Sequence, residues 1–296
     1  MIRRSKRLQS TNQEIKIDKV VTKQKMKKVI PKANKAKLSM AIQRQSFIPK
    51  YNIDEAWNAL KIKDPKLAIH MDEVALQDFK DKLSHSNKTN SFRALTNSII
   101  FQQIHGKAAA SIRNRFIRLF DPPTPFPEEM LTATYPWFPT PAMILEKSIE
   151  EMRGAGLSQR KSEYIRELAS KFNDNTITED KLNSLDDADI SKLLCSIRGI
   201  GQWTVDMFLM FNLCHPDVLP TSDLGVQRGV GIHFGVTSTK PSSKPNSKKP
   251  TNLPSPKEMK ELSCVWTPYR TIASWMMWRI QDVTTMHSDL SKDDEK

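Results

Sequence analysis

The sequence predicts an all-α fold over residues 51–296, and three observations predict it. Apolar residues recur at helical spacing, as in Leu95, Ile99, Ile100, Ile104, Ala108, Ile112, Phe116 and Ile117. No stretch alternates apolar and polar residues as a half-buried strand does. Proline and glycine punctuate the periodic blocks at Asp64-Pro65, Gly106, Gly199 and Pro268.

Residues 1–50 hold fifteen Lys or Arg against Glu14 and Asp18, a net charge of +13 that equals that of the whole chain. The remainder therefore sums to zero, and the basic excess belongs to a tail without apolar periodicity, predicted to be disordered. The tail reads as a nuclear-import signal around Arg3, Arg4, Lys6, Arg7 and Lys25 to Lys37, or as an arm that contacts nucleic acid. Beyond it, 38% apolar residues supply a core. Cys195, Cys214 and Cys264 lie far apart with no C-x-x-C pair, against a disulfide framework, zinc site or iron-sulfur cluster. No apolar run reaches membrane-spanning length and no secretory signal opens the chain. A soluble nuclear monomer with no membrane partner is the expectation.

The folded part begins near Tyr51. AWNALKIKDPKLAIHM reads as two short helices split at Asp64-Pro65, because proline ends one helix and suits the first turn of the next. SFRALTNSIIFQQIHGKAAASIRNRFIRLF reads as a long helix broken near Gly106. The proline-rich DPPTPFPEEMLTATYPWFPTPAMIL wraps the surface in turns before a helix at about Pro141 to Arg153. Helices follow at Lys161 to Phe172 and Asp186 to Cys195. Val236 to Pro256, with four lysines, five prolines, five serines and no acid, reads as a disordered insertion. EMKELSCVWTPYRTIASWMMWRIQD closes the fold as a helix, a break at Pro268 and an apolar helix.

Between Cys195 and the helix Gln202 to Asn212 lies Ile197-Arg198-Gly199-Ile200-Gly201. Gly199 and Gly201 permit left-handed backbone and remove side chains that would block another backbone. Ile200 fits as a plug tying the hairpin to both helices. The free N–H groups at Gln202 then face outward with the helix dipole behind them, a seat for phosphate. A glycine hairpin that only joins two packed helices is the competing reading.

The hairpin with SDLGVQRG, together with SIIFQQIHGKAAASI and WTPYRTIASWMMW, resembles the helix-hairpin-helix superfamily of DNA glycosylases, of the 3-methyladenine DNA glycosylase II type. The resemblance implies two helical lobes around a cleft and a helix-hairpin-helix at about 186–212. It implies a double-stranded DNA partner carrying alkylated bases.

Asp223 matches the catalytic aspartate, which stabilises positive charge on the deoxyribose or activates water. A carboxylate there also suits an N-cap, and the two roles are compatible. No second acid stands out near Asp223. Trp203 occupies the position at which bifunctional relatives carry a nucleophilic lysine, so the resemblance implies base release without Schiff-base chemistry. Trp203 and Trp278 match pocket aromatics, whose faces attract a cationic alkylated purine; ordinary helix burial is the alternative for Trp278.

Gln103 matches the residue that fills the gap left by a flipped base, the alternative being that Gln102 and Gln103 cap backbone groups at the kink. The resemblance makes Arg198, Gly199, Ile200, Gly201 and Gln202 the hairpin's expected DNA contacts, Arg198 being equally readable as a surface charge. Arg160, Lys161 and His105 are further phosphate candidates or plain surface residues, and Tyr269 and Arg270 read as structural. No cofactor is required; the resemblance allows a monovalent cation on the carbonyls of Cys195, Ile197 and Gly199. The competing functions are a glycosylase for oxidised or mismatched bases and a noncatalytic hairpin module, which would have no use for Asp223.

Overall fold

A computed structural model describes residues 51–86, 90–123, 135, 137–236 and 253–293, with side chains described except at 85–86 and 283–293. The expected disordered tail and residues 237–252 of the expected insertion lie outside the described residues, as do 124–134 and 136 of the proline-rich stretch. No strand occurs among the described residues.

The helices are α1 (Ile53–Lys63), α2 (Pro65–Ala68), α3 (Glu73–Ser86), α4 (Ser91–Phe101), α5 (Gly106–Arg118), α6 (Pro141–Glu146) and α7 (Ile149–Gly154). They continue with α8 (Gln159–Asn173), α9 (Glu179–Ser184), α10 (Asp187–Cys195), α11 (Gln202–Phe211), α12 (Leu224–Phe234) and α13 (Pro256–Leu262). A 3-10 turn at Ser263–Trp266 and α14 (Arg270–Asp293) complete the order.

Side chains set most of the starts. Asn52, Asp64, Asn90, Thr140, Ser148, Ser158, Thr178, Asp186 and Ser255 each accept a backbone N–H of their own first turn. The helix expected at Pro141 to Arg153 is two, because Ser148 and Glu151 form a reciprocal capping box that starts a new helix. Two helices, α3 and α9, were not anticipated. α3 buries Ala75, Leu76, Phe79 and Leu83, but no proline or glycine marks either of its ends.

The helices form two lobes. The early and late elements pack together, α14 against α1, α3 and α12, and α12 against α13. The middle of the chain makes the other lobe, with α8 packed on α4, α6 and α7. Helix α11 touches α10 and α4 on one side and α3 on the other. It buries Val205, Phe208, Leu209, Met210 and Phe211, as a helix enclosed by both lobes must.

A buried polar cluster pins the first lobe. Asp64 Oδ1 accepts the Leu67 N–H at 3.0 Å, and Oδ2 accepts Trp266 Nε1–H at 2.8 Å and His233 Nε2–H at 2.7 Å. Burial opposes the charge on Asp64, but the bonds from Trp266, Leu67 and His233 outweigh it and hold the carboxyl below its ordinary value. The Asp64-Pro65 break is thus also the anchor of α12 and the 3-10 turn.

Candidate active site and nucleic-acid interface

The hairpin is built from backbone. Ile197 N–H donates to Leu194 O and Ile200 N–H to Ile197 O, each at 3.1 Å, and both isoleucines are buried. Gly199 is required twice over: its φ is +86°, and a Cβ there would stand 2.1 Å from Tyr164 Cδ2. Gly201 departs from expectation. Its φ is −104°, open to any residue, and a Cβ would meet nothing within 4 Å. Its openness leaves the start of α11 uncovered, where Gly201 is the N-cap and no side chain accepts from the first turn. Those donors and the helix dipole face solvent beside exposed Gln202 and Trp203.

Twenty residues on, Asp223 caps α12. Its Oδ1 accepts Val226 N–H at 2.9 Å and Trp278 Nε1–H at 2.8 Å, while Oδ2 accepts Trp203 Nε1–H at 2.7 Å. Trp203, Trp278 and Asp223 therefore meet, as their sequence positions suggested. The capping role leaves room for a chemical one, since Oδ1 serves the helix and Oδ2 accepts a single bond.

Trp278 stacks on Phe211 at 6.1 Å and 25° and meets Trp275 edge-on at 6.2 Å. Trp203 is 48% exposed, an indole standing at the surface beside a carboxylate. The approach is possible because residue 225 is glycine: a Cβ there would lie 2.6 Å from Trp278 Cδ1 and 3.2 Å from Asp223 Oδ1.

The start of α14 fixes the segment leading to Asp223. Arg270 grips Asp217 through Nε and Nη2 at 2.7 and 2.8 Å. Thr271 Oγ1 donates to His215 O at 2.6 Å and accepts Val218 N–H at 3.1 Å. Arg270 thus holds structure, as expected, and with Thr271 the structure it holds is the carboxylate's approach, while Tyr269 meets the Tyr51 ring at 6.2 Å.

The break between α4 and α5 forms the other exposed edge. Gln103 is exposed in the left-handed region at φ +57°, which is uncommon for a residue with a Cβ. Gln102 turns inward, its Nε2 donating to Gly199 O at 2.7 Å. Lys161 Nζ donates to Ile100 O and Gln102 O, each at 2.7 Å, so it fastens this loop and is no bare phosphate contact. Its partial burial lowers its pKa. His105 is exposed and caps α5 through Lys107 N–H at 3.4 Å.

Two hairpin side chains are also occupied. Arg198 Nε donates to Glu167 at 2.5 Å, and Gln202 Nε2 donates to Asp206 Oδ1 at 2.8 Å. Of the carbonyls considered for a cation, Ile197 O and Gly199 O each already accept one hydrogen bond. Among the described residues no His, Cys, Asp and Glu cluster could hold a metal ion.

One residue was missed: an acid does lie near Asp223. Asp206 is 6% exposed, one turn beyond Trp203 on α11. Burial first, then the charges of Asp187 and Asp223, push its pKa up to about 6 against the Gln202 bond. In sequence it is the one charged residue of an otherwise largely apolar helix; the signal lay in its position three after Trp203.

The sequence model described as HhH-GPD superfamily base excision DNA repair protein matches residues 96–252. DNA-3-methyladenine glycosylase 1 of Schizosaccharomyces pombe is 28% identical over 193 residues, 65% of this chain and 73% of that protein. YfjP of Bacillus subtilis is 29% identical over 188 residues, 64% of this chain but 58% of YfjP, so the chain spans little more than half of that relative. The crystal structure of a DNA-3-methyladenine glycosidase from Bacillus halodurans superposes with a TM-score of 0.59 at 25% identity, covering 78% of this chain and 91% of that one.

Proposed function

The chain belongs to the HhH-GPD superfamily of base excision DNA repair proteins, and from that premise we propose that it is a monofunctional DNA glycosylase. Its proposed substrates are alkylated purines such as 3-methyladenine and 7-methylguanine, flipped out of duplex DNA and released by hydrolysis. The observation that carries this reading is the convergence of two indole N–H groups on Asp223. The Schizosaccharomyces and Bacillus relatives named for 3-methyladenine support the substrate class.

In this reading the strand is seated by a phosphate on the bare N–H groups of α11, and Gln103 fills the stack vacated by the flipped base. Breaking the bond between C1′ and the base nitrogen sends the electron pair to the purine and leaves positive charge on the sugar. The Asp223 carboxylate stabilises that charge. Its Oδ2, with one donor, is the oxygen with room for the sugar. Water then bonds to C1′ and gives up its proton, leaving an abasic site. A cationic purine is already a good leaving group, so no acid need protonate it. The indole faces favour that cation over a neutral base. An indole at position 203 cannot attack C1′, so no covalent amine adduct forms.

Methylated duplex DNA tests the reading. Asp223→Asn should release 7-methylguanine at least about 10²-fold more slowly while still binding abasic-site DNA; unchanged release refutes the assignment. Borohydride should trap no protein on damaged DNA, and a covalent adduct would overturn the monofunctional part.

A further inference from the structure

We propose that Asp206 is a second carboxylate of this site, an anion buried one turn below Trp203 whose missing counter-charge is the positive charge that develops on base and sugar during cleavage. The proposal rests on the glycosylase reading and adds a residue to it.

The geometry gives Asp206 one neutral partner. Gln202 Nε2 donates to Asp206 Oδ1 at 2.8 Å and reaches Ser191 Oγ at 3.3 Å, while its Oε1 meets Cys195 Sγ at 3.9 Å. No Lys, Arg or His is paired with Asp206 among the described residues. The charged groups that act on it are Asp187 of α10 and Asp223 at the start of α12, both acids. Asp187 is itself paired with His215, and Cys195 of α10 is a thiol whose own pKa is raised by burial and by Asp206.

A buried carboxylate facing two like charges and one amide is unfavourable in the resting protein. If Asp206 only held Gln202 in place, asparagine would offer the same acceptor without the charge. What the charge adds is negative potential around Asp223, where the reaction creates a cation, and in a partly dehydrated setting such potential acts over several ångströms. Asp206 does not touch the sugar in this account; it is a positioning charge behind Asp223. With its pKa raised to about 6, it is ionised at neutral pH and discharged in mild acid.

Asparagine keeps the bond and deletes the charge, so Asp206→Asn isolates the effect. Single-turnover release of 7-methylguanine would be followed from pH 5 to 7.5 for the wild type, Asp206→Asn and Asp223→Asn, with uncatalysed release subtracted. Asp206→Asn should be slower by about tenfold at pH 7.5 and lack the rate increase that the wild type shows through about pH 6. Binding to DNA holding an abasic site, whose sugar carries no positive charge, should be unchanged.

The melting temperature supplies the readout a structural role would move the other way. A carboxyl whose pKa is raised on folding stabilises the protein in acid and loses that contribution as pH rises through the folded value. Asp206→Asn should therefore melt about 2–4 °C higher than the wild type at pH 7.5, with the difference shrinking as the pH falls below about 6 and gone only below the unfolded value of 3.8. A wild-type rate and pH profile in Asp206→Asn, or a slower variant that melts lower at pH 7.5, overturns the proposal. If the wild type releases no base, or Asp223→Asn is fully active, the glycosylase reading itself fails.

Discussion

Gly225 has no room for a methyl group, and what that group would strike is the site. Gly225→Ala pushes against Trp278 and Asp223, so base release should fall by an order of magnitude or more while the melting temperature changes little. Gly229→Ala strikes backbone instead, with Met277 O 2.3 Å from the new Cβ. It should destabilise the fold by about 1–3 kcal/mol, measured by denaturant unfolding; equal stability losses in both variants would contradict this division. Asp223, Trp203 and Trp278 were legible because a motif fixed their order along the chain. The partners of Gln102, Lys161, Arg198 and Gln202 were not. Their bonds run to segments distant in sequence or to an inward-facing acid, and side-chain chemistry alone does not choose between phosphate and a neighbouring carbonyl.

Elements were legible where the chain carries its own punctuation. Asp64-Pro65, the Gln102 to Gly106 break and the hairpin all stand where the residues put them, whereas α3, which buries Ala75, Leu76, Phe79 and Leu83, lies among charged residues with no proline or glycine to mark its ends. Breaks turn out to be load points. Lys161→Met leaves the Ile100 and Gln102 carbonyls without their donor and should cost about 1–3 kcal/mol, again by denaturant unfolding. Asp64→Ala strands three donors and should cost more, about 3 kcal/mol or above. Because the Asp64 pKa is lowered on folding, its contribution is present above the unfolded value of 3.8 and lost as pH falls through the folded one. The variant should accordingly show a shallower acid limb of stability, and an unchanged limb would assign that loss to other carboxyls.

At the scale of the molecule, charge and structure are divided. The first fifty residues carry a net +13 and the rest none, so removal of residues 1–50 should weaken DNA binding and flatten its salt dependence. An unchanged slope would leave nuclear import as the tail's proposed role. The two lobes meet at α11, a reading that sequence could reach only through resemblance, since periodicity reports faces and not neighbours. The Gln102 bond to Gly199 joins the exposed loop of one lobe to the hairpin of the same site. Loop and hairpin are therefore rungs of one ruler, with their spacing set before any duplex arrives. A spacing kept on binding leaves the bending to the duplex. Sequences and lesions that kink readily are the ones it should seize, and stiffness in the protein becomes a means of finding softness in the helix it searches.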